Sequence, residues 1–267
     1  MAHVVLMPNL RSAAPNSTIE QANCTAYSRF GQFGEVAKLL LVLLHTSGGA
    51  PGSFVEIGAH DGITISNTLL LESCWGWAGL LVEADPDNWH ALSRSGRASH
   101  LEHAAVCAAG MGVVNMSINR GYGVFSGMDG KTREHATKLL RARRIPPPER
   151  VEVPCARLDT LMARAKLPTR VNFLSLDVEG AELEVVSTVD VGRFDLVLVE
   201  LDGHDRGKDK SVNEKLSQAG LAYTGLRIWT SLLFAHHTLL AKLSQKGENV
   251  LALAEQIDWN LVRRTKG

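Results

Sequence analysis

Residues 54–62 read FVEIGAHDG, a short apolar run carrying one acid and closing on Gly58 and Gly62. A run of this length bounded by glycine reads as a buried strand, and glycine in the turn after it lets the backbone approach a ligand closely. The next segment, SNTLLLE at 66–72, has the look of a helix with Ser66 placed to cap it. Strand, glycine turn and helix then recur. Gly79-Leu-Leu-Val-Glu83 is a second apolar run, followed by Ala84-Asp85-Pro86 and a helical stretch around Trp89 and Leu92. A third, weaker run covers 102–108. The pattern resumes with VNFLSLD at 171–177, a helix from about Ala181, FDLVLVE at 194–200, a helix over 212–218 and closing strands at 222–227 and 231–235. Continuous apolar strands alternating with helices predict an α/β, Rossmann-like fold. Its sheet is mostly parallel and seven-stranded, with helices on both faces and right-handed crossovers.

Working outward, Phe33, Val36, Leu39, Leu40 and Leu43 are spaced as a helix that Gly48-Gly49 stops. Residues 1–30 read as an N-terminal arm, 31–238 as the domain and 239–267 as a helical tail, with Leu251, Ala254 and Ile257 in helical spacing past Gly247. Between about 112 and 155 the rhythm breaks. Short strands at 113–118 and 151–154 flank glycines, a basic helix and Pro146-Pro147-Pro148, which predicts an insertion after the third strand that acts as a lid.

Lys plus Arg and Asp plus Glu both total 28, so no global field argues for nucleic acid, and a small or neutral substrate fits better. The basic stretch at 131–150, with Arg133, Lys138, Arg141, Arg143 and Arg144, reads as a solvated helix face. No apolar run approaches the roughly 20 residues of a membrane span. Cys24, Cys74, Cys107 and Cys155 form no C-x-x-C pair; they are enough for two disulfides without requiring any. Asn16, Asn23 and Asn115 each open an N-x-S/T tripeptide, which is informative only in a secreted chain. The start lacks the basic-then-apolar pattern of a cleaved leader, so the expectation is an intracellular, cytoplasmic chain.

The acids and glycines narrow the chemistry. Gly58, His60 and Gly62 put histidine where a dinucleotide fingerprint needs its second glycine, and Glu56 would repel a diphosphate. The same carboxylate suits the ammonium of S-adenosylmethionine. Glu83, at the end of the second strand, is placed to accept hydrogen bonds from both ribose hydroxyls. Asp177 and Glu179 flank the mouth of the 171–177 strand; if that strand continues, period two puts both on one side, where Asp177 positions the sulfonium or takes an acceptor's proton. Glu182 reads as a capping or solvated acid. His60 and His204, in Gly203-His204-Asp205, are the candidate bases. His236 and His237 are adjacent in a strand and should face opposite ways, so no metal site is expected.

FVEIGAHDGITISNTLLLE, GWAGLLVEADP and FLSLDVEGAELEVV followed by LVLVE resemble, in order and spacing, the FkbM family of methyltransferases. The resemblance spans about 31–234. It implies a class I methyltransferase fold, S-adenosyl-L-methionine as methyl donor, and transfer usually to an oxygen of a carbohydrate or small-molecule hydroxyl. By motif position Glu56, Gly58, Ala59 and Asp61 would line the methionine end, Glu83 the ribose and Ala105 the adenine, with Asp177 near the reacting methyl; His60, Gly62 and Ala84 complete the expected cofactor contacts. The competing reading is a noncatalytic binding or trafficking module of the same fold. An NAD-dependent oxidoreductase is disfavoured by the missing glycine and by the lack of a Tyr-x-x-x-Lys motif.

Overall fold

A computed structural model describes residues 31, 34–108, 112–119, 127–128 and 147–255. Its main sheet contains β1 (Ser53–Ile57), β2 (Ala78–Glu83), β3 (His100–His103), β8 (Val171–Leu176), β9 (Phe194–Glu200), β10 (Leu221–Ile228) and β11 (Ser231–His236). The strand order is β3-β2-β1-β8-β9-β11-β10. Every pair from β3 to β9 is parallel; β11 runs antiparallel between β9 and β10. The chain builds outward from β1 through β2 to β3, then returns to lay β8 against the other side of β1. That reversal opens a crevice beyond the carboxyl ends of β1 and β8, where open α/β sheets bind ligands.

Period two sends alternate strand residues to opposite layers. Phe54, Leu81, Phe173, Leu196 and Leu198 pack with α1 (Glu35–Thr46), α2 (Leu69–Trp75), α7 (His237–Gln245) and α8 (Val250–Glu255). Val55, Ile57, Leu80, Leu174, Val197 and Val199 pack on the other face with α4 (Leu158–Arg164), α5 (Glu182–Val186) and α6 (Arg206–Gln218). Burial on both faces is why these strands are mostly apolar: Phe54 to Ile57 and Phe194 to Val199 contain no exposed position, and their acids, Glu56 and Asp195, are buried.

A second sheet, in the order β4-β7-β5-β6, is made of β4 (Ala105–Val106), β5 (Val113–Ile118), β6 (Gly127–Met128) and β7 (Glu149–Ala156). The single third run expected at 102–108 is therefore two strands. The chain leaves β3 after His103, Ala104 N donates to Glu83 O of β2, and Ala105 then pairs in parallel with Cys155 of β7. A Cys107–Cys155 disulfide, with a Cα–Cα distance of 5.8 Å, closes this junction among Ala105, Met116, Ile118 and Val153. Residues 120–126 and 129–146 of the expected lid, with most of the basic stretch, lie outside the described residues.

Other boundaries also shift. Ser66 accepts from Thr68 N and Leu69 N as a cap would, but the helix itself starts at Leu69. α6 begins at Arg206, capped by Asp205, because its first turns are polar and only Val212 and Leu216 are buried, leaving no apolar period to mark the start. Among the described residues no helix is long and apolar enough to cross a membrane.

The bridge spans a sequence separation of 48, which loop-closure entropy equates with about 4 kcal/mol. Replacing Cys107 and Cys155 together by serine should lower the unfolding free energy by about 2–4 kcal/mol in urea titrations, and reductant should do the same to the parent chain; an unchanged midpoint in both would show that the bridge is not formed.

Candidate active site

Glu56 leaves β1 into the interior and is 3% exposed. Its Oε2 accepts from Ser66 Oγ at 2.8 Å and Thr68 Oγ1 at 2.5 Å, and its Oε1 accepts from Asn67 N at 2.5 Å. Arg97 joins the same group, donating to Gly62 O, Ser66 Oγ and Thr68 Oγ1 and pairing with Glu72 at 3.2 Å. Burial pushes the Glu56 pKa up, against the Arg97 charge and the three hydrogen bonds. The expected role at an ammonium is thus shared with another: Glu56 ties the end of β1 to the start of α2.

That tie fixes the turn between them. Gly58 has φ +82°, and a Cβ there would lie 1.9 Å from Asp177 O, so only glycine lets β1 and β8 meet at this point. Gly58 N and Ala59 N both donate to Val82 O. His60, at φ +52°, holds the left-handed conformation without being glycine, and its N–H donates to Glu83 Oε2 at 2.7 Å. Asp61 accepts from Ile63 N, Thr64 N and Thr64 Oγ1. Partial burial opposes ionisation, but these bonds hold Asp61 below the usual carboxylate range. Asp61 shapes the turn, and Gly62, with φ +73°, closes it against Leu92.

Glu83 is 6% exposed and accepts from His60 N and Asp85 N, one on each oxygen. The Ala84 backbone adds a further hydrogen bond to this carboxylate. Burial raises its pKa to about 7 despite those bonds, and the neighbouring Asp85 charge adds to the rise.

At the other lip β8 ends at Leu176 rather than continuing through Asp177, and Glu179 and Gly180 turn away at φ +55° and +112°. The turn, not strand period, brings one carboxylate oxygen each of Asp177, Glu179 and Glu200 within 4.8 Å of one another. Burial pushes Asp177 well above the usual carboxylate range, and the Glu200 and Glu179 charges and a hydrogen bond with Glu200 push it further. Beside the Glu200 carboxyl, Asp177 therefore holds its proton more strongly than an ordinary carboxyl. Thr230 Oγ1 donates to Glu200 Oε1 at 2.9 Å. Glu182, expected to be solvated, is fully buried; it accepts from Gly180 N and from Lys208 Nζ.

Two adjoining cavities lie along this edge, of about 730 and 430 Å³ measured to their open mouths. The walls of the larger include His60, Glu83, Ala84, Ala105, Met116 and Asp177. The smaller is bounded by Glu35, Glu56, Asn67, Glu200, Thr230 and Ser231, and both share Gly58 and Asp177. His204 lines neither and is 53% exposed beside Asp202, so the fold does not bring it to the cleft. His236 and His237 do not face opposite ways: the strand ends at His236, the helix starts at His237, and the rings approach to 4.2 Å.

Sequence reading passed over Glu200, Glu35 and Arg97 as site residues. Glu200 carried a usable signal, an acid ending a buried strand just as Glu83 does. Arg97 and Glu35 carried none, since neither belongs to a motif.

A parallel sheet in this order with a reversed strand beside its last parallel one, and an acid-lined cleft at the switch point, defines a class I, Rossmann-like methyltransferase. The family described as the methyltransferase FkbM domain matches residues 56–248, and the chain belongs to that family. Solved structures are similar at low identity. Methyltransferase FkbM from Methylobacillus flagellatus KT is 14% identical over 70% of this chain and 44% of its own, with a TM-score of 0.39, so this chain spans less than half of that protein. Aeropyrum pernix fibrillarin in complex with natively bound S-adenosyl-L-methionine is 13% identical over 79% of this chain and 75% of its own, with a TM-score of 0.40. No curated protein matches significantly.

Arg97→Met keeps bulk but leaves the buried Glu56 carboxylate without its compensating charge. The unfolding free energy should fall by about 3–5 kcal/mol, and Glu56→Gln on that background should recover part of it; equal losses in the single and double variants would show that the two do not act together.

Proposed function

We propose that this chain transfers a methyl group from S-adenosyl-L-methionine to an oxygen, the hydroxyl of a carbohydrate or small molecule. The observation that carries the reading is the continuity of the cleft: the Glu83 carboxyl stands on one wall, and Asp177, with Glu200 beside it, stands where the two cavities meet. The residues present fit the cofactor. Ala104, Ala105, Val106 and Met116 offer an apolar surface for a flat base, and Glu83 presents its carboxyl to a ribose diol in the same cleft.

The cofactor supplies an electrophilic methyl on a sulfonium. When bound, it would give that methyl to the acceptor oxygen and leave as the neutral thioether, keeping the carbon–sulfur electron pair. The chain holds the two reactants in line in a walled cleft, which converts an encounter into a unimolecular step. Asp177 stands in both cavities and faces the developing charge, while the ionised member of its pair with Glu200 takes the hydroxyl proton. Glu35, Thr230 and Ser231 border the acceptor side.

Titration calorimetry with S-adenosyl-L-methionine tests the binding half. Ribose hydroxyls donate to an ionised carboxylate, so Glu83 must lose its proton on binding. With its pKa at about 7, affinity should rise with pH up to about 7 and then level off, with about half a proton released per cofactor at pH 7. Glu83→Ala should abolish detectable binding; unaltered binding in that variant would overturn the assignment.

The chemical half is tested with labelled donor and a panel of carbohydrate and small-molecule hydroxyls. Asp177→Asn and Glu200→Gln should each reduce turnover by roughly 10²–10⁴-fold while cofactor affinity changes little for Glu200→Gln. Cofactor binding with no transfer to any hydroxyl would favour the noncatalytic module.

A further inference from the structure

The N-x-S/T tripeptide Asn115-Met116-Ser117 falls on β5, in the second sheet. Met116 is buried and lines the cleft, so Asn115 points to the opposite face, where it is exposed. Ser117, two residues on, shares that face by strand period. Its surroundings there are open: Val113 is 57% exposed, and Glu152, opposite Asn115 on β7, is exposed. A large group on Asn115 would project away from the cleft and cover Val113 without blocking ligand entry.

The same sheet carries the Cys107–Cys155 disulfide, Cys74 is also disulfide-bonded, and no described cysteine is free. Structural disulfides form and persist in oxidising compartments and are rare where thiols are kept reduced. That is the setting in which an N-x-S/T tripeptide acquires meaning. The two features are independent of each other and of the methyl-transfer reading.

We propose that Asn115 is an N-glycan attachment site and that the chain matures in an oxidising compartment of the secretory pathway, in place of the cytoplasm expected from sequence. In the attachment, a bond forms between Asn115 Nδ2 and the anomeric carbon of a lipid-linked oligosaccharide. The bond from that carbon to the lipid diphosphate breaks, the diphosphate leaves with the electron pair, and the amide gives up one proton. Closure of Cys107–Cys155 passes two electrons and two protons to a protein disulfide acting as oxidant.

The test uses the chain recovered from its own cells. Thiols are alkylated before any reduction, and peptides are treated with peptide-N-glycosidase in ¹⁸O-water and read by mass spectrometry. The expected result is an Asn115 peptide converted to ¹⁸O-labelled aspartate, with Cys107 and Cys155 linked and unalkylated. A fully unmodified Asn115 peptide, or alkylated Cys107 and Cys155, would overturn the proposal. In the same cells Ser117→Ala should abolish the label at Asn115 and Ser117→Thr should retain it; label persisting in Ser117→Ala would mean that the mass change arises elsewhere. Reading the Asn115 peptide separates this site from the tripeptides at Asn16 and Asn23.

Discussion

A carboxylate buried beneath a sheet edge has to be compensated, and the way Glu56 is compensated sets the geometry of everything above it. Its two oxygens are met by Ser66, Asn67 and Thr68, and the Arg97 guanidinium stands behind the two hydroxyls. Such networks add little net stability, since desolvation offsets much of the attraction, but breaking one is costly, so they specify a single arrangement. Here that arrangement pins both ends of the 58–65 turn. With its ends fixed, the turn presents His60 N–H to Glu83 and leaves Gly58 against the Asp177 carbonyl. The geometry of the cleft wall follows from a hydrogen-bonded network around Glu56, with the Arg97 charge behind it, that does not itself react.

How far the sequence could be read follows from the distance over which each signal acts. Period and burial act within one element, so the strands and helices of the main sheet were legible, as were Gly58 and Glu83 at strand ends. The end of β8 was misread because strand period was carried one residue too far; Glu179 at positive φ shows where the backbone departs. Glu200 escaped because its importance depends on β9 lying beside β8, a fact of topology rather than of local pattern. Arg97 escaped for a sharper reason: its partners Gly62, Ser66 and Thr68 are 35, 31 and 29 residues away, and nothing around it marks it. The two histidines at 236 and 237 were judged by strand geometry that ends between them.

The second sheet shows the same limit at larger scale. Its strands were legible at 113–118 and 151–154, but not the pairing that splits the third run and sends Ala105 to Cys155. That pairing matters because Ala105 and Met116 both face the cleft. The disulfide at Cys107 and Cys155 therefore braces a wall of the cavity as well as the inserted sheet.

The mouth of β8 gathers Asp177, Glu179, Glu182 and Glu200 into one neighbourhood, and four ionised carboxylates would not remain together in a chain whose formal net charge is zero without local relief. Lys208 relieves Glu182, to which it donates, and Thr230 donates one hydrogen bond to Glu200. Burial and the Glu200 and Glu179 charges push Asp177 well above the usual carboxylate range, which favours its protonated form. On the proposed reading, the same crowding would favour a cationic sulfonium beside Asp177. Repulsion among like charges at this edge would then be the property that suits it to hold a cation.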